Sequence, residues 1–288
     1  APSASIDGST PMYSTDGGKT WTAEAPSFTN VGTYPVSVKE INPNYADSPV
    51  VETSITITQA PATITIDPQT KVYGTKDDPA LTAVVGGTVT GENLNYTLSR
   101  VAGETVGTYA ITATVGANPN YNITVTDNSL IITAASGNIA TAAAVTAVYD
   151  GKGHVLAPSA SIDGSTPMYS TDGGKTWTAE APSFTNVGTY PVSVKEINPN
   201  YADSPVVETS ITITQAPATI TIDPQTKVYG TKDDPALTAV VGGTVTGENL
   251  NYTLSRVAGE TVGTYAITAT VGANPNYNIT VTDNSLII

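Results

Sequence analysis

The sequence predicts an all-β protein, an elongated tandem array of immunoglobulin-like β-sandwich modules, on three observations. Apolar residues alternate with Thr and Ser at a period of two, the runs are separated by turn-forming pairs, and the chain repeats itself. Residues 1–132 recur unchanged as 157–288, a 156-residue period, and 133–156 occurs once.

Taken in order, Tyr34, Val36 and Val38 alternate with Thr33, Ser37 and Lys39, and Ala62, Ile64 and Ile66 alternate with Thr63 and Thr65. Leu94, Tyr96 and Leu98 alternate with Asn95 and Thr97, and Tyr109, Ile111, Ala113 and Val115 with Thr108, Ala110, Thr112 and Thr114. Successive side chains of a strand point to opposite faces, so each run presents one apolar and one hydroxyl-rich face. The β-branched content suits a pleated, half-buried surface. Most of the 25 Gly and 20 Pro fall between runs, as in Asp67-Pro68, Asp78-Pro79 and Asn118-Pro119, where Pro fixes φ and Asp or Asn bonds its own backbone. Short strands at about 8–12 residue spacing with such turns indicate a sandwich. Ile139–Val148 is Ala-rich and could be helical by composition, but its homologous position, taken as Ala62–Ile66, reads as strand.

A fainter repeat divides the period. Val31-Gly32-Thr33-Tyr34, Asn42-Pro43-Asn44-Tyr45 and Ile55-Thr56-Ile57-Thr58 reappear as Val106-Gly107-Thr108-Tyr109, Asn118-Pro119-Asn120-Tyr121 and Leu130-Ile131-Ile132-Thr133. Val148-Tyr149-Asp150-Gly151 likewise corresponds to Val72-Tyr73-Gly74. Each period therefore holds two related modules: A at 1–58 and 138–214, and B at 60–134 and 216–288. Thr58-Gln59-Ala60-Pro61 is too short for a loose joint, whereas Ala134-Ala135-Ser136-Gly137-Asn138 is small, polar and should bend more. The first A module, starting at Ala1, has no counterpart of Asn138–Leu156, the expected first strand and turn, so a sheet edge should be open there.

Composition narrows the function. The chain carries 11 basic and 25 acidic residues, a formal net charge of -14. That balance argues against nucleic acid, which requires clustered Lys and Arg, and no apolar stretch is long enough to insert this segment into a membrane as a helix. Without Cys, disulfides and thiolate metal sites are excluded. Lys39, Lys71 and Lys152 lie in or beside predicted strands, where a Lys-to-Asn amide crosslink would need a buried Lys, an adjacent Asn and a carboxylic acid.

Ser14-Thr15-Asp16-Gly17-Gly18-Lys19-Thr20-Trp21, repeated from Ser170 to Trp177, resembles the Asp-box of sialidases and related β-propellers. The resemblance implies a hairpin whose Asp16 or Asp172 bonds loop amides while the Trp packs beneath, away from any catalytic centre. Turn chemistry gives the same structural expectation. The alternative is ligand contact through Trp21, Trp177, Tyr13 or Tyr169. His154, the single histidine, lies in the turn Gly151–His154 and is expected to be exposed rather than a metal ligand. Asp77-Asp78-Pro79 and Asp127-Asn128 offer oxygens suited to Ca²⁺, but in no spaced D-x-D-x-D loop, so turn capping is expected and no cofactor or metal is assigned. Asn95-Tyr96-Thr97 and Asn122-Ile123-Thr124 fit the N-glycosylation pattern, which a Thr-rich chain produces readily by chance.

Lys71-Val72-Tyr73-Gly74, Asp78-Pro79-Ala80-Leu81, Arg100-Val101-Ala102-Gly103-Glu104-Thr105-Val106-Gly107-Thr108-Tyr109 and Asn120-Tyr121-Asn122-Ile123 are similar to the YGX-type MBG repeat over essentially all of module B. Module A keeps several landmarks and looks like a divergent relative. The resemblance implies a bacterial surface or secreted protein, commonly an adhesin, whose modules form stalks, and it carries over no catalytic residues. The expectation is a non-enzymatic stalk or fibre segment outside the cell, its partners being neighbouring repeats of the same or an identical chain. A strand of about 10 residues spans roughly 33 Å, so one period should advance on the order of 70 to 80 Å. The alternatives are a filament subunit assembled by strand donation at the first module, or a module binding a host glycan or surface protein.

Overall fold

A computed structural model describes residues 3–288, so Ala1, where the expected open edge begins, and Pro2 lie outside the described residues. Every regular element described is a strand. The chain divides into two compact units, Ala1–Thr133 and Ala134–Ile288.

In the first unit, module A contributes β1 (Thr10–Ser14), β2 (Gly32–Ile41) and β3 (Val51–Ile57), an antiparallel sheet in the order β1-β2-β3. Module B contributes β4 (Ala60–Ile66), β5 (Gln69–Val72), β6 (Ala83–Gly86), β7 (Tyr96–Arg100), β8 (Gly107–Val115), β9 (Tyr121–Thr126) and β10 (Asn128–Thr133). These form two sheets, β6-β4-β9 and β5-β10-β8-β7. The chain changes sheets at Asp67-Pro68: β4 runs parallel to β9 in one layer and β5 parallel to β10 in the other. The predicted alternation is realised in β4, where Ala62, Ile64 and Ile66 are buried and Thr63 and Thr65 exposed. Ile66, Ile111, Leu130 and Ile132 close the core between the layers.

In the second unit, module A holds β11 (Ala140–Thr141), β12 (Val145–Val148), β13 (Ser159–Ala160), β14 (Thr166–Ser170), β15 (Gly188–Ile197) and β16 (Val207–Thr214). Its sheets are the pair β11-β13 and the four-stranded β12-β16-β15-β14. Module B repeats its counterpart with β17 (Ala216–Ile222), β18 (Gln225–Thr226), β19 (Ala239–Gly242), β20 (Tyr252–Arg256), β21 (Thr264–Val271), β22 (Tyr277–Thr282) and β23 (Asn284–Ile287). The sheets are β19-β17-β22 and β18-β23-β21-β20.

The Ala-rich stretch 139–148 forms two short strands separated by Ala142, Ala143 and Ala144. β12 lies parallel to the last strand of its module, as β5 does in B, so the counterpart of Val145–Val148 is Gln69–Val72 rather than Ala62–Ile66. The reason is the same change of sheet, which in B occurs at Asp67-Pro68 and here across the alanines.

Candidate functional site

Three side-chain constellations stand out; the first two fall wholly on sequence that repeats, and the third includes Tyr149 from the stretch that occurs once. The first is the Asp-box hairpin. β1 leads into the turn and Tyr13 exchanges both backbone hydrogen bonds with Thr22, closing it. Gly17 and Gly18 take φ of 73° and 82°, a left-handed pair that side chains with a Cβ disfavour. The Asp16 carboxylate accepts from the amides of Lys19 and Thr20 at 2.9 Å each, from Thr20 Oγ1 at 2.7 Å and from Ser14 Oγ at 2.7 Å. The Thr20 amide above all, with the Ser14 and Thr20 hydroxyls, holds the Asp16 carboxyl far below the usual carboxylate range. Asp172 is held likewise, its largest contribution being the Thr176 hydroxyl. Trp21 donates its indole N–H to Gly18 O at 3.0 Å, and Lys39 Nζ stands 4.8 Å from its ring centroid. Trp177 repeats this with Gly174 and Lys195. Of the tyrosines put forward as ligand contacts, Tyr13 is half-buried and Tyr169 lies within the core of its module.

The second constellation was not legible as a unit. Lys71 on β5, Asp78 in the following loop, Arg100 at the end of β7 and Glu104 before β8 form a closed ring of alternating charges. Each cation bridges both anions. In module B of the second unit, Lys227 Nζ lies 2.8 Å from Asp234 and 2.6 Å from Glu260, and Arg256 2.6 Å from each. Because β5 and β7 are opposite edges of one sheet, the ring ties those edges together. Arg100 also donates to Val101 O and Gly103 O and lies over the Tyr109 ring. The approach of Tyr109 explains Gly103: a Cβ there would stand 2.0 Å from the ring. The hydrogen bond from Arg256, then that from Lys227, lowers Asp234 to about 2, and Glu260 is lowered by Lys227 and then Arg256. Asp78 is thus an ion-pair partner rather than only a turn cap, and Lys71 is bonded to carboxylates, not to the Asn a crosslink would need.

The third joins A to B. In the second unit Glu248 accepts from Tyr149 of A and Tyr277 of B, which lowers its pKa, and the two rings meet edge to face at 5.5 Å. Asn276 accepts from Val187 N at 3.0 Å through Oδ1 and bonds Asn186, while its carbonyl receives Ala216 N. One apolar cluster continues from Val194, Ile211 and Ile213 of A to Ala218, Ile220 and Leu250 of B. In the first unit Asn120 makes the same bonds to Val31, Asn30 and Ala60. The second Asn of N-P-N-Y therefore holds its own module's first strand through its backbone and the preceding module through its side chain.

His154 differs from its expected exposure: it is half-buried, bonds Asp150 at 3.1 Å and exchanges backbone hydrogen bonds with Phe184. Among the described residues no cluster of three or more His, Asp or Glu is placed to hold a metal ion.

A tandem array of all-β, immunoglobulin-like modules is the class these features define. Residues 62–131 and 218–287 match the family described as MBG domain (YGX type), so the chain carries two such domains. The Lys71–Glu104 ring is built from residues of that motif. Residues 12–23 and 168–179 match the BNR/Asp-box repeat. No curated protein matches the chain. Among solved structures it is similar to Drosophila N-cadherin EC1-4, at 10% identity over 99% of this chain and 93% of that one, with a TM-score of 0.26. It is also similar to the N-terminal eight Ig domains of Down Syndrome Cell Adhesion Molecule, at 14% identity over 97% and 50%, TM-score 0.23. A SusE-like surface-located polysaccharide-binding protein from Bacteroides thetaiotaomicron is similar at 11% identity over 90% and 51%, TM-score 0.23.

Proposed function

We propose that the chain is a non-catalytic stalk segment of an extracellular bacterial surface protein, a spacer that carries other parts away from the cell. The observation that carries this reading is the A-to-B joint, where an apolar cluster and the Tyr149–Glu248–Tyr277 bonds unite successive modules. A spacer needs joints that resist bending, and a joint with a shared core provides that. The two MBG domains and the acidic surface are consistent with the role.

Binding of a glycan through Trp21 or Trp177 is less favoured, because the indole N–H is already committed to the hairpin and a lysine stands over the ring. A glycan array separates the two readings. The stalk reading expects no saturable binding; binding that disappears in Trp177→Ala would replace it with the binding reading.

A further inference from the structure

In both copies of module B the three-stranded sheet ends on a six-residue strand with no charged residue, proline or glycine: β9 (Tyr121–Thr126) and β22 (Tyr277–Thr282). Ala60 N donates to Asn120 O, and in that parallel ladder the backbone groups of Asn122, Thr124 and Thr126 turn towards β4. Those of Ile123 and Val125 therefore point away from the sheet, where they meet no backbone partner among the described residues. Ile279 and Val281 hold the same positions on β22. The outer face beside this edge is uncharged as well, with exposed Thr63 beside Thr124 and Thr65 beside Thr126.

An open edge is a template for another strand, and proteins blunt it with charge, proline or short length. The other edges of module B are blunted: β5, β6 and β7 have four, four and five residues, and β5 and β7 carry Lys71 and Arg100 of the charge ring. Module A blunts the matching position itself. There Ala135 N donates to Asn200 O and Ala202 N to Ala135 O, as the B ladder begins, but Asp203 and Pro205 follow and the chain leaves after one bridge to Tyr201. The protection present in A is absent in B.

We infer that this edge is an interaction surface whose partner is the same strand of a second copy of the chain, paired antiparallel about Thr124 or, on β22, about Thr280. The absence of charge lets two chains of net charge -14 approach here, and an uncharged run of β-branched residues without proline is the composition of self-pairing segments. Charge also sets the direction. A parallel, in-register pair places Asp127 beside Asp127, whereas the antiparallel pair places it beside Tyr121. In that register Thr124 faces its own copy, and Ile123 lies opposite Val125 so that the two exchange both of their outward backbone bonds. The half-buried Ile123 and Val125 side chains gain cover from their counterparts. The contact is isologous, so one strand sequence supplies both halves.

The test is sedimentation of the intact chain up to about 0.5 mM, the weak end of specific association, together with amide exchange. Concentration-dependent association is expected, with protection appearing at Ile123 and Val125 and at their counterparts Ile279 and Val281. Thr124→Asp combined with Thr280→Asp, exposed positions outside the core, should weaken association at least about tenfold by setting like charges opposite each other. Thr124→Lys combined with Thr280→Lys should do the same, and an equimolar mixture of the two variants should associate again. A single sedimentation coefficient at every concentration would overturn the inference. So would association that both variants retain, a mixture no stronger than either variant alone, or protection confined to other strands.

Discussion

At the scale of single residues, ionised side chains are used to fix loops. Asp16 and Asp172 are held charged by amides and hydroxyls, so their contribution to stability is complete above the ordinary Asp value and is lost only as pH falls through a much lower folded value. The hairpin should accordingly keep its Lys175 and Thr176 amide protection at pH 3, whereas Asp172→Asn should lose it at pH 7; amide exchange by NMR checks both. The charge ring also bears on the crosslinking chemistry that a Cys-free chain suggests. Amide formation needs a neutral amine and a protonated acid, while Asp78 and then Glu104 raise Lys71, and Arg100 and then Lys71 lower Asp78. An intact mass equal to the formula mass of the uncrosslinked chain is expected, and a mass short by one water or one ammonia would contradict it.

At the scale of elements, the sheet layers depend on a small number of fully buried aliphatic side chains. Ile220 of β17 is 0% exposed and belongs to the cluster that crosses the A-to-B joint. Ile220→Ala should cost about 2–5 kcal/mol, measurable by denaturant unfolding, because it leaves a cavity as well as removing buried methyl groups. The joint itself is tested by Tyr149→Phe, which deletes the hydroxyl bonded to Glu248 and leaves the ring against Tyr277. Faster exchange of amides at Val187 and Ala216, without loss of protection in β23, would locate the effect at the joint. Uniform protection in the variant would mean that the apolar cluster alone holds it.

At the scale of the whole molecule, stability should be additive over modules and should depend on pH in two opposed ways. Asp78, Glu104, Asp234 and Glu260 all have lowered values, so the ion-pair rings contribute fully above the ordinary Glu value of 4.5 and lose that contribution as pH falls through the lowered values, which for Asp234 is about 2. Glu196 behaves oppositely. It is buried, its Oε2 has no hydrogen-bond partner, and burial raises its pKa. Its contribution is therefore present below the ordinary Glu value and lost as pH rises through the raised one. Glu196→Gln should raise the unfolding midpoint more at pH 7 than at pH 4; an equal change at both pH values would show that the carboxyl does not titrate across that range.

Much of the fold was legible because the information was local. The alternation of Ala62, Ile64 and Ile66 with threonines specifies a face whatever lies opposite it, and the Asp16-Gly17-Gly18 turn is determined by residues within a few positions. The charge ring was illegible for the opposite reason: Lys71 and Glu104 lie 33 residues apart, and only the order β5-β10-β8-β7 and the loops that follow β5 and β7 bring the ring together. The Tyr149–Glu248 bond spans 99 residues and depends on how two modules meet. The sequence by itself determined the period, the alternating faces of the longer strands, the turns and the likeness of module B to the MBG repeat. The tertiary structure decided which distant side chains meet, because such a contact belongs to the arrangement of strands and modules rather than to any local pattern: Lys71 reaches Glu104 across one sheet, and Tyr149 reaches Glu248 across the joint of two modules.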